Sequence, residues 1–147
     1  MIKKLYILPL LLFSILLSCS TEPREIDYGH ENCAFCNMTI MDQQFGTEMI
    51  TNKGKIFTYC SIECMVWEYV RETKHKKEDV KLMLAKDYIK PSDLVNVEEL
   101  FFIKSVDIPS PMGASLSAYS SKEKAVEILE GKEGEMFTWK ELTQKIK

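Results

Sequence analysis

The chain has 147 residues, of which 46% are hydrophobic and 28% are charged, and its formal net charge at pH 7 is -3. This length and composition leave room for one or two small domains, and they exclude a disordered chain, a collagen and a polytopic membrane protein. A weakly acidic chain also lacks the basic surface that phosphate binding needs, so no nucleic acid partner is expected. Sulfur is the unusual element of the composition, with five Cys and eight Met against two His.

Residues 1–18 predict a signal peptide. Lys3 and Lys4 are followed by residues 5–17, a largely apolar run. A basic start before an apolar run of this length is typical of an export signal, and the run is too short to span a bilayer as a stable anchor. We therefore expect the protein to be exported.

The end of this run, Leu16-Leu17-Ser18-Cys19, resembles a bacterial lipobox. In a lipobox the Cys is acylated and becomes the first residue of the mature protein, so Cys19 is the expected lipid anchor. The alternative is an ordinary signal peptide that is cleaved near Ser18. Ser20, in place of Asp, favours transport onward to an outer membrane. The sequence therefore predicts a lipid-anchored protein of the cell envelope that faces the periplasm, with residues 19–29 as a tether.

The other four cysteines form two close pairs, Cys33-x-x-Cys36 and Cys60-x-x-x-Cys64. In an exported protein, four Cys ordinarily indicate two disulfides. Two close pairs about a hairpin apart are, however, the usual layout of a tetrahedral sulfur site. The spacing therefore favours a metal site, and it leaves open whether the pairs are oxidised in the resting protein.

The segment between the pairs predicts a hairpin that brings them together. Residues 46–51 and 55–60 are predicted strands, and Asn52-Lys53-Gly54 supplies turn residues that tolerate positive φ. Ser61 is placed to cap the helix that follows. The apolar positions of this helix have helical spacing and are Ile62, Met65, Val66, Tyr69 and Val70. With the second pair at the start of this helix, we expect all four sulfurs to converge.

A strand predicted at residues 80–86 completes the first half of the chain, residues 30–88. The second half, residues 89–147, repeats the order of strand, strand, helix and strand without cysteines. Its predicted strands are residues 99–106, 114–119 and 135–138. Residues 88–96, which include the boundary between the halves, are a predicted loop. The expected fold class is α+β, with two small similar ββαβ halves and largely antiparallel sheets, preceded by a lipoprotein signal peptide and tether.

Two helix starts in the second half carry capping signals. Ser120-Ser121-Lys122-Glu123 is a capping-box pattern before one helix, and Thr138-Trp139-Lys140-Glu141 is placed to cap a terminal helix. In such a pattern the hydroxyl and the Glu satisfy backbone N–H groups that the first turn leaves unpaired. We therefore predict that a helix begins within each segment, directly after its capping hydroxyl residue.

Other soft or imidazole side chains lie close to the pairs in sequence. Met38 is two residues beyond Cys36 and belongs to the same knuckle, so it is a candidate ligand with a packing role as the alternative. Three further methionines are interpreted as core thioethers because Met fills irregular gaps in cores: Met41, Met49 and Met65. His30, at the end of the tether, is expected to be solvated, with contact to the metal as the alternative, and His75 is expected to be solvated in a charged connector.

Several of these segments resemble one known family. Cys33-Ala34-Phe35-Cys36-Asn37-Met38 is similar to the Cys-x-x-Cys-Gly-Met element of the nitrous oxide reductase accessory lipoproteins (NosL-type). Phe57-Thr58-Tyr59-Cys60-Ser61 resembles their second segment, and Pro111-Met112-Gly113 resembles their Pro/Ala-Met-Gly loop. The first half is also similar to treble-clef metal-binding modules of the YHS and TRASH type. Three features depart from the family pattern: Asn37 stands where Gly is usual, Cys64 completes a set of four that many members lack, and Ala85-Lys86-Asp87 has no His where some members have one.

The resemblance implies an exported, lipid-anchored copper chaperone that delivers Cu(I) for assembly of the copper-sulfide centre of nitrous oxide reductase. Its expected partners are that reductase, its membrane-bound maturation complex, and the membrane through the lipid at Cys19. Met112, in the loop that resembles the family, is a secondary candidate ligand, with a packed loop residue as the alternative.

Thiolate and thioether ligands are soft and favour Cu(I), whereas a closed site of four Cys also suits Zn(II). Both metals therefore remain open from the sequence. We expect Cys33, Cys36 and Met38 to form a mobile part of the site, with Cys60 and Cys64 either contributing ligands or resting as a disulfide.

Catalysis is not expected, because the sequence has no Gly-rich phosphate loop, Ser-His-Asp set or His-Glu-x-x-His helix. Two alternatives to a chaperone are retained. One is a thiol-disulfide oxidoreductase using Cys33 and Cys36, although the pair lacks the preceding strand and following helix of a thioredoxin-like motif. The other is a lipoprotein in which a structural four-Cys zinc site holds a small domain together.

Overall fold

A computed structural model describes residues 22–146, so the predicted signal peptide and lipid anchor lie outside the described residues. The described chain is an α+β fold with two antiparallel sheets, which confirms the expected fold class. Its strands are β1 (Thr47–Thr51), β2 (Ile56–Tyr59), β3 (Val80–Lys86), β4 (Leu94–Asn96), β5 (Phe101–Lys104), β6 (Leu116–Tyr119) and β7 (Glu135–Thr138). Its helices are α1 (Ile62–Arg71), α2 (Lys122–Leu129) and α3 (Trp139–Lys145), and short 3-10 helices lie at Lys77–Asp79 and Val97–Glu99.

The first sheet has the strand order β2-β1-β3-β4. Its central strand β1 is buried along its whole length and pairs antiparallel with both β2 and β3. The hairpin between β1 and β2 turns at the predicted residues, where Gly54 has φ +77°. Glycine has no Cβ to clash in this conformation, so the turn forms without strain. This hairpin brings the second cysteine pair back beside the first.

The second sheet has the order β6-β5-β7, and α2 and α3 pack against it. Thr138 caps α3 in a complete capping box with Glu141, as predicted. The cap of α2 is Ser121, whose hydroxyl accepts from the N–H of Lys124. The helix therefore begins one residue later than a capping box on Ser120 would place it.

One predicted loop contains a strand. Residues 88–96 were expected to be irregular, but Leu94–Asn96 forms β4 and pairs with the end of β3. Val95, opposite Ala85, packs against the core of the molecule. A strand of three residues is too short to produce a recognisable alternation, so only its tertiary pairing reveals it.

Both sheets contribute to one hydrophobic cluster. Tyr59 and Met65 of the first half lie in it beside Phe102 and Trp139 of the second. The rings of Phe102 and Trp139 have centroids 5.7 Å apart and are tilted, a favourable geometry for aromatic pairs. Met41 lies outside this core and is 70% exposed, so its interpretation as a core thioether was wrong.

The segment before the first cysteine packs beside the start of β1. Ile26 is only 2% exposed, and it lies with Tyr28 against Gly46. The phenolic oxygen of Tyr28 leaves no space for a Cβ at Gly46. Arg24 makes a bidentate ion pair with Glu31, with both N···O distances at 2.6 Å. Part of the predicted tether is thus held on the fold.

No helix within residues 22–146 combines the length and the apolar character needed to cross a membrane.

Glu31 joins the segment before the first cysteine to strand β2 of the first sheet. Its carboxylate also accepts from the N–H of Asp27 at 2.7 Å and from the hydroxyl of Thr58 at 3.0 Å. These donors, led by Arg24, lower the pKa of Glu31 from 4.5 to about 2. The ionised carboxylate is therefore the form that holds the segment in place.

We predict that Glu31→Gln lowers the free energy of unfolding at pH 7 by about 1 to 2 kcal/mol. The expected loss of stability is small because the Arg24 side chain is 46% exposed, so solvent screens its ion pair with Glu31. A depressed pKa adds stability above the unfolded value of 4.5, and that stability is lost as the pH falls toward 2. Urea unfolding should therefore show a smaller difference at about pH 3 than at pH 7, whereas Glu25→Gln, in the same segment, should show little at either. An equal loss at both pH values would contradict this assignment.

Candidate metal centre

The first cysteine pair lies in a tight knuckle. The N–H of Cys33 donates to the carbonyl of Met38 at 2.8 Å, and the N–H of Asn37 donates back to the carbonyl of Cys33 at 2.9 Å. Asn37 has φ +62°, in the left-handed region that Gly and Asn adopt most readily. Asn37 can therefore adopt the left-handed conformation that this knuckle requires.

The second pair lies at the start of α1. Cys60 directly follows β2, and the hydroxyl of Ser61 caps the helix by accepting from the N–H of Cys64 at 3.3 Å. The knuckle is attached to the same strand because the N–H of Ala34 donates to the carbonyl of Thr58 at 2.8 Å. The hairpin and the cap therefore fix both pairs relative to each other.

All four predicted cysteine sulfurs meet in one cluster. The Sγ atom of Cys60 lies 3.6 Å from that of Cys36 and 3.7 Å from that of Cys64. The four sulfurs, including that of Cys33, lie within 4.8 Å of one another. Three of the residues are buried, and Cys36 is half-buried, so the cluster has one accessible edge.

The cluster fits a bound metal ion. Four thiolates at about 2.3 Å from a tetrahedral ion have their sulfurs roughly 3.8 Å apart, close to the separations observed. All four cysteines are free thiols, so each can supply a soft ligand. The geometry suits either Cu(I) or Zn(II), because both accept several thiolate ligands at similar distances.

The thiols hold their protons unequally. Hydrogen bonds from Cys60 and Cys64 lower the pKa of Cys33 far below its ordinary value. The same hydrogen bond raises the pKa of Cys60 to about 12, and the pKa of Cys64 also lies well above its ordinary value for this reason. Without a cation, one thiolate is thus stabilised by protonated neighbours. A metal that binds all of them must displace those protons, as thiolate ligation requires.

A loop after α1 supports the knuckle from outside. The ammonium of Lys74 donates to the carbonyl of Ala34, between the first two cysteines. The loop is itself held by Glu68 of α1, whose buried carboxylate accepts from the N–H groups of Lys74 and His75. The charged connector predicted here is therefore partly ordered by the helix.

Two carboxylates of α1 are buried, although the sequence did not predict it. Glu63 is fully buried, and Glu68 is 1% exposed. Both occupy positions outside the apolar stripe, and no local signal in the sequence marks them. Their burial depends on loops that fold back from other parts of the chain.

The remaining candidates lie in different surroundings. Met38 is 55% exposed on the knuckle, and Met112 is half-buried against the core that contains three of the cysteines. His30 is exposed and hydrogen-bonds Asp27, as expected for a solvated residue. His75 was expected to be solvated, but its ring packs on Phe57 with the centroids 4.1 Å apart. Its Nε2 atom is buried and has no hydrogen-bond partner among residues 22–146.

We predict that Co(II), used as a spectroscopic probe, binds the reduced protein as a four-thiolate complex. Each single Cys→Ser substitution in the cluster should lower the sulfur-to-cobalt charge-transfer absorbance by about a quarter, since one of four thiolates is lost. Met41→Leu, at an exposed methionine outside the cluster, is the control and should leave the spectrum unchanged. A cysteine whose substitution leaves the absorbance unchanged would not be a ligand.

Comparisons with known proteins identify the family and a solved structure with a similar fold. The NosL family model matches residues 23–147. The fold resembles the crystal structure of the copper chaperone NosL from Shewanella denitrificans, with a TM-score of 0.70 at 22% sequence identity, over 84% of this chain and 97% of that one. No curated protein sequence matches significantly. Since the family model spans most of the chain, including both cysteine pairs and the second sheet, the protein belongs to the NosL family.

Proposed function

We propose that this protein is a copper chaperone that binds Cu(I) at the cluster of Cys33, Cys36, Cys60 and Cys64. The observation that carries the proposal is the meeting of four free thiols within 4.8 Å in a family whose solved relative is a copper chaperone. Soft thiolates favour Cu(I) over hard cations. Copper here is cargo, to be held and then passed to an acceptor.

The accessible edge of the cluster supports a transfer role. Cys36 is half-buried, whereas the other three cysteines are buried, so an acceptor thiol or thioether can approach the metal on this side. Met38, at 55% exposure on the same knuckle, offers a thioether to the departing or arriving ion. Exchange of one ligand at a time lets Cu(I) move between proteins without being released into water.

The more specific role is delivery of Cu(I) for maturation of nitrous oxide reductase, through the membrane-bound complex that assembles its copper-sulfide centre. A lipid at Cys19 would hold the protein on the membrane, facing the periplasm. This role rests on the family and on the lipobox rather than on the fold. The protein would act by binding and release, without catalysis of its own.

A zinc site is the second candidate, because sulfur separations of 3.6 and 3.7 Å suit a closed tetrahedral ion. In that case the metal would stabilise the fold and would not exchange. An oxidoreductase has less support, because the residues after Cys33 form a turn and no helix begins there to stabilise an attacking thiolate.

We predict that the anaerobically reduced protein competes with a Cu(I) chelator, and that Cys60→Ser weakens Cu(I) binding by at least about tenfold because a ligand is lost. Met41→Leu is the control and should retain full affinity. The proposal fails if the protein retains tightly held zinc that Cu(I) does not displace.

Delivery is tested with copper-free nitrous oxide reductase and its maturation complex as acceptors. The loaded wild-type protein should raise the copper content of the reductase. A protein with Met38→Leu should bind copper but transfer it more slowly, because the exposed thioether is missing from the route. Transfer at the same rate by free Cu(I)-chelator complex would contradict a specific delivery role.

A further inference from the structure

Lys74 lies in a loop that follows α1, and its side chain contacts the cysteine knuckle. The ammonium donates to the carbonyl of Ala34, which stands between Cys33 and Cys36 in the chain. Consecutive Cα atoms are about 3.8 Å apart, so an ion at this carbonyl lies within roughly 10 Å of the nearest cluster sulfur. The contact therefore places a full positive charge beside the metal site. We call residues 73–75 the Lys74 loop.

The Lys74 loop is held from two sides. Glu68 of α1 is 1% exposed, and its carboxylate accepts from the hydroxyl of Thr73. The same carboxylate accepts from the N–H groups of Lys74 at 2.7 Å and His75 at 3.0 Å. The ring of His75 packs on Phe57 of β2, with the centroids 4.1 Å apart. Hydrogen bonds to a carboxylate are stronger than those between neutral groups, so the backbone that carries the ammonium is fixed.

Stability alone gives a poor account of this loop. Lys74 is exposed, so solvent weakens its contact with Ala34, and fixing a long side chain costs entropy. Glu68 gives up its hydration to hold the loop. Lys76, in the same segment, shows ordinary surface behaviour, since its side chain is 72% exposed and lies 3.9 Å from Glu78. The Lys74 loop is instead suited to holding a charge at the knuckle.

The interior beside the cluster already carries negative charge. Tyr59 directly precedes Cys60 and is fully buried. Burial raises the pKa of its hydroxyl above the ordinary value, and the negative charges of Glu68 and Cys33 raise it further. Any additional negative charge at the cluster is therefore unfavourable unless a cation lies nearby.

Metal loading adds such charge, and the amount depends on the metal. Without metal, protonated Cys60 and Cys64 stabilise one thiolate, that of Cys33. When all four thiolates bind, a Cu(I) ion leaves three negative charges on the complex, whereas a divalent ion leaves two. Relative to one thiolate, loading with Cu(I) thus adds two negative charges, and loading with a divalent ion adds one.

A fixed cation distinguishes these two cases. Its interaction energy with the complex is proportional to the charge of the complex. Lys74 therefore stabilises loading with Cu(I) about twice as strongly, on a logarithmic scale, as loading with a divalent ion.

We infer that Lys74 is a specificity-determining residue, whose ammonium at the Ala34 carbonyl favours monovalent copper over divalent metal ions at the four-cysteine cluster. The inference rests on the proposed function, since it concerns the same cluster and the same cargo. It gives the charged connector after α1 a direct part in the choice of metal.

Metal competition on the anaerobically reduced protein tests this inference, with Co(II) as the divalent probe. Lys74→Met removes the charge and keeps a side chain of similar shape. It should raise the dissociation constant about tenfold for Cu(I) and only about threefold for Co(II). Lys74→Arg keeps the charge and should leave both constants within about twofold of the wild-type values. Lys76→Met, at an exposed lysine of the same segment, is the control and should change neither.

Equal factors for Cu(I) and Co(II) in Lys74→Met would overturn the inference, because the side chain would then act by holding the knuckle and not by its charge. An unchanged Cu(I) constant in that variant, or a loss in Lys74→Arg as large as in Lys74→Met, would overturn it as well.

Salt gives a second readout that a purely structural role would not move. The Debye length falls to about 3 Å at 1 M salt, so the effect of Lys74→Met on Cu(I) should shrink there. An effect of the same size at low and high salt would overturn the inference. Absence of Cu(I) binding by the wild-type protein would overturn the proposed function and this preference together, whereas binding with equal losses for both metals would overturn the preference alone.

Discussion

Four thiol sulfurs held within 4.8 Å of one another are the constraint on which the rest of this structure depends. Thiolates so close together in a mostly buried site repel each other, and the cluster without metal relieves this through hydrogen bonds from protonated Cys60 and Cys64 to the Cys33 thiolate, which raise the pKa values of both donors. A soft cation relieves it more completely, because it replaces those protons and bonds to every sulfur. The protein backbone already fixes the positions of the four sulfurs, so the cluster is arranged to bind a metal ion.

The backbone contacts that fix this geometry come from distant parts of the chain. The hairpin returns β2 to the knuckle, where the carbonyl of Thr58 accepts from Ala34, and Ser61 then starts the helix that carries Cys64. The same helix holds one loop on either side through Glu63 and Glu68. Helix α1 thus links the cysteines, the supporting loop of the first half and the loop of the second half that contains Ser110.

Local signals predicted much of this arrangement. The hydroxyl caps at Ser61 and Thr138 and the two ends of β3 depend on residues close in sequence, and these predictions were confirmed. The convergence of the four cysteine sulfurs was also predicted, from the turn residues of the hairpin that joins the two pairs. The features that were missed depend on tertiary contacts. Strand β4 is defined by its pairing with β3, and the burial of Glu63 and Glu68 is defined by loops that return to α1.

The central claim is that one copper ion is bound by the sulfurs of the cysteine cluster and can leave through its accessible edge. X-ray absorption at the copper edge, on anaerobically loaded protein, tests this most directly. We predict Cu(I) surrounded by sulfur atoms alone, with fewer sulfur neighbours after Cys36→Ser. A copper ion with nitrogen or oxygen neighbours, or one whose sulfur neighbours are unchanged in that variant, would contradict the account.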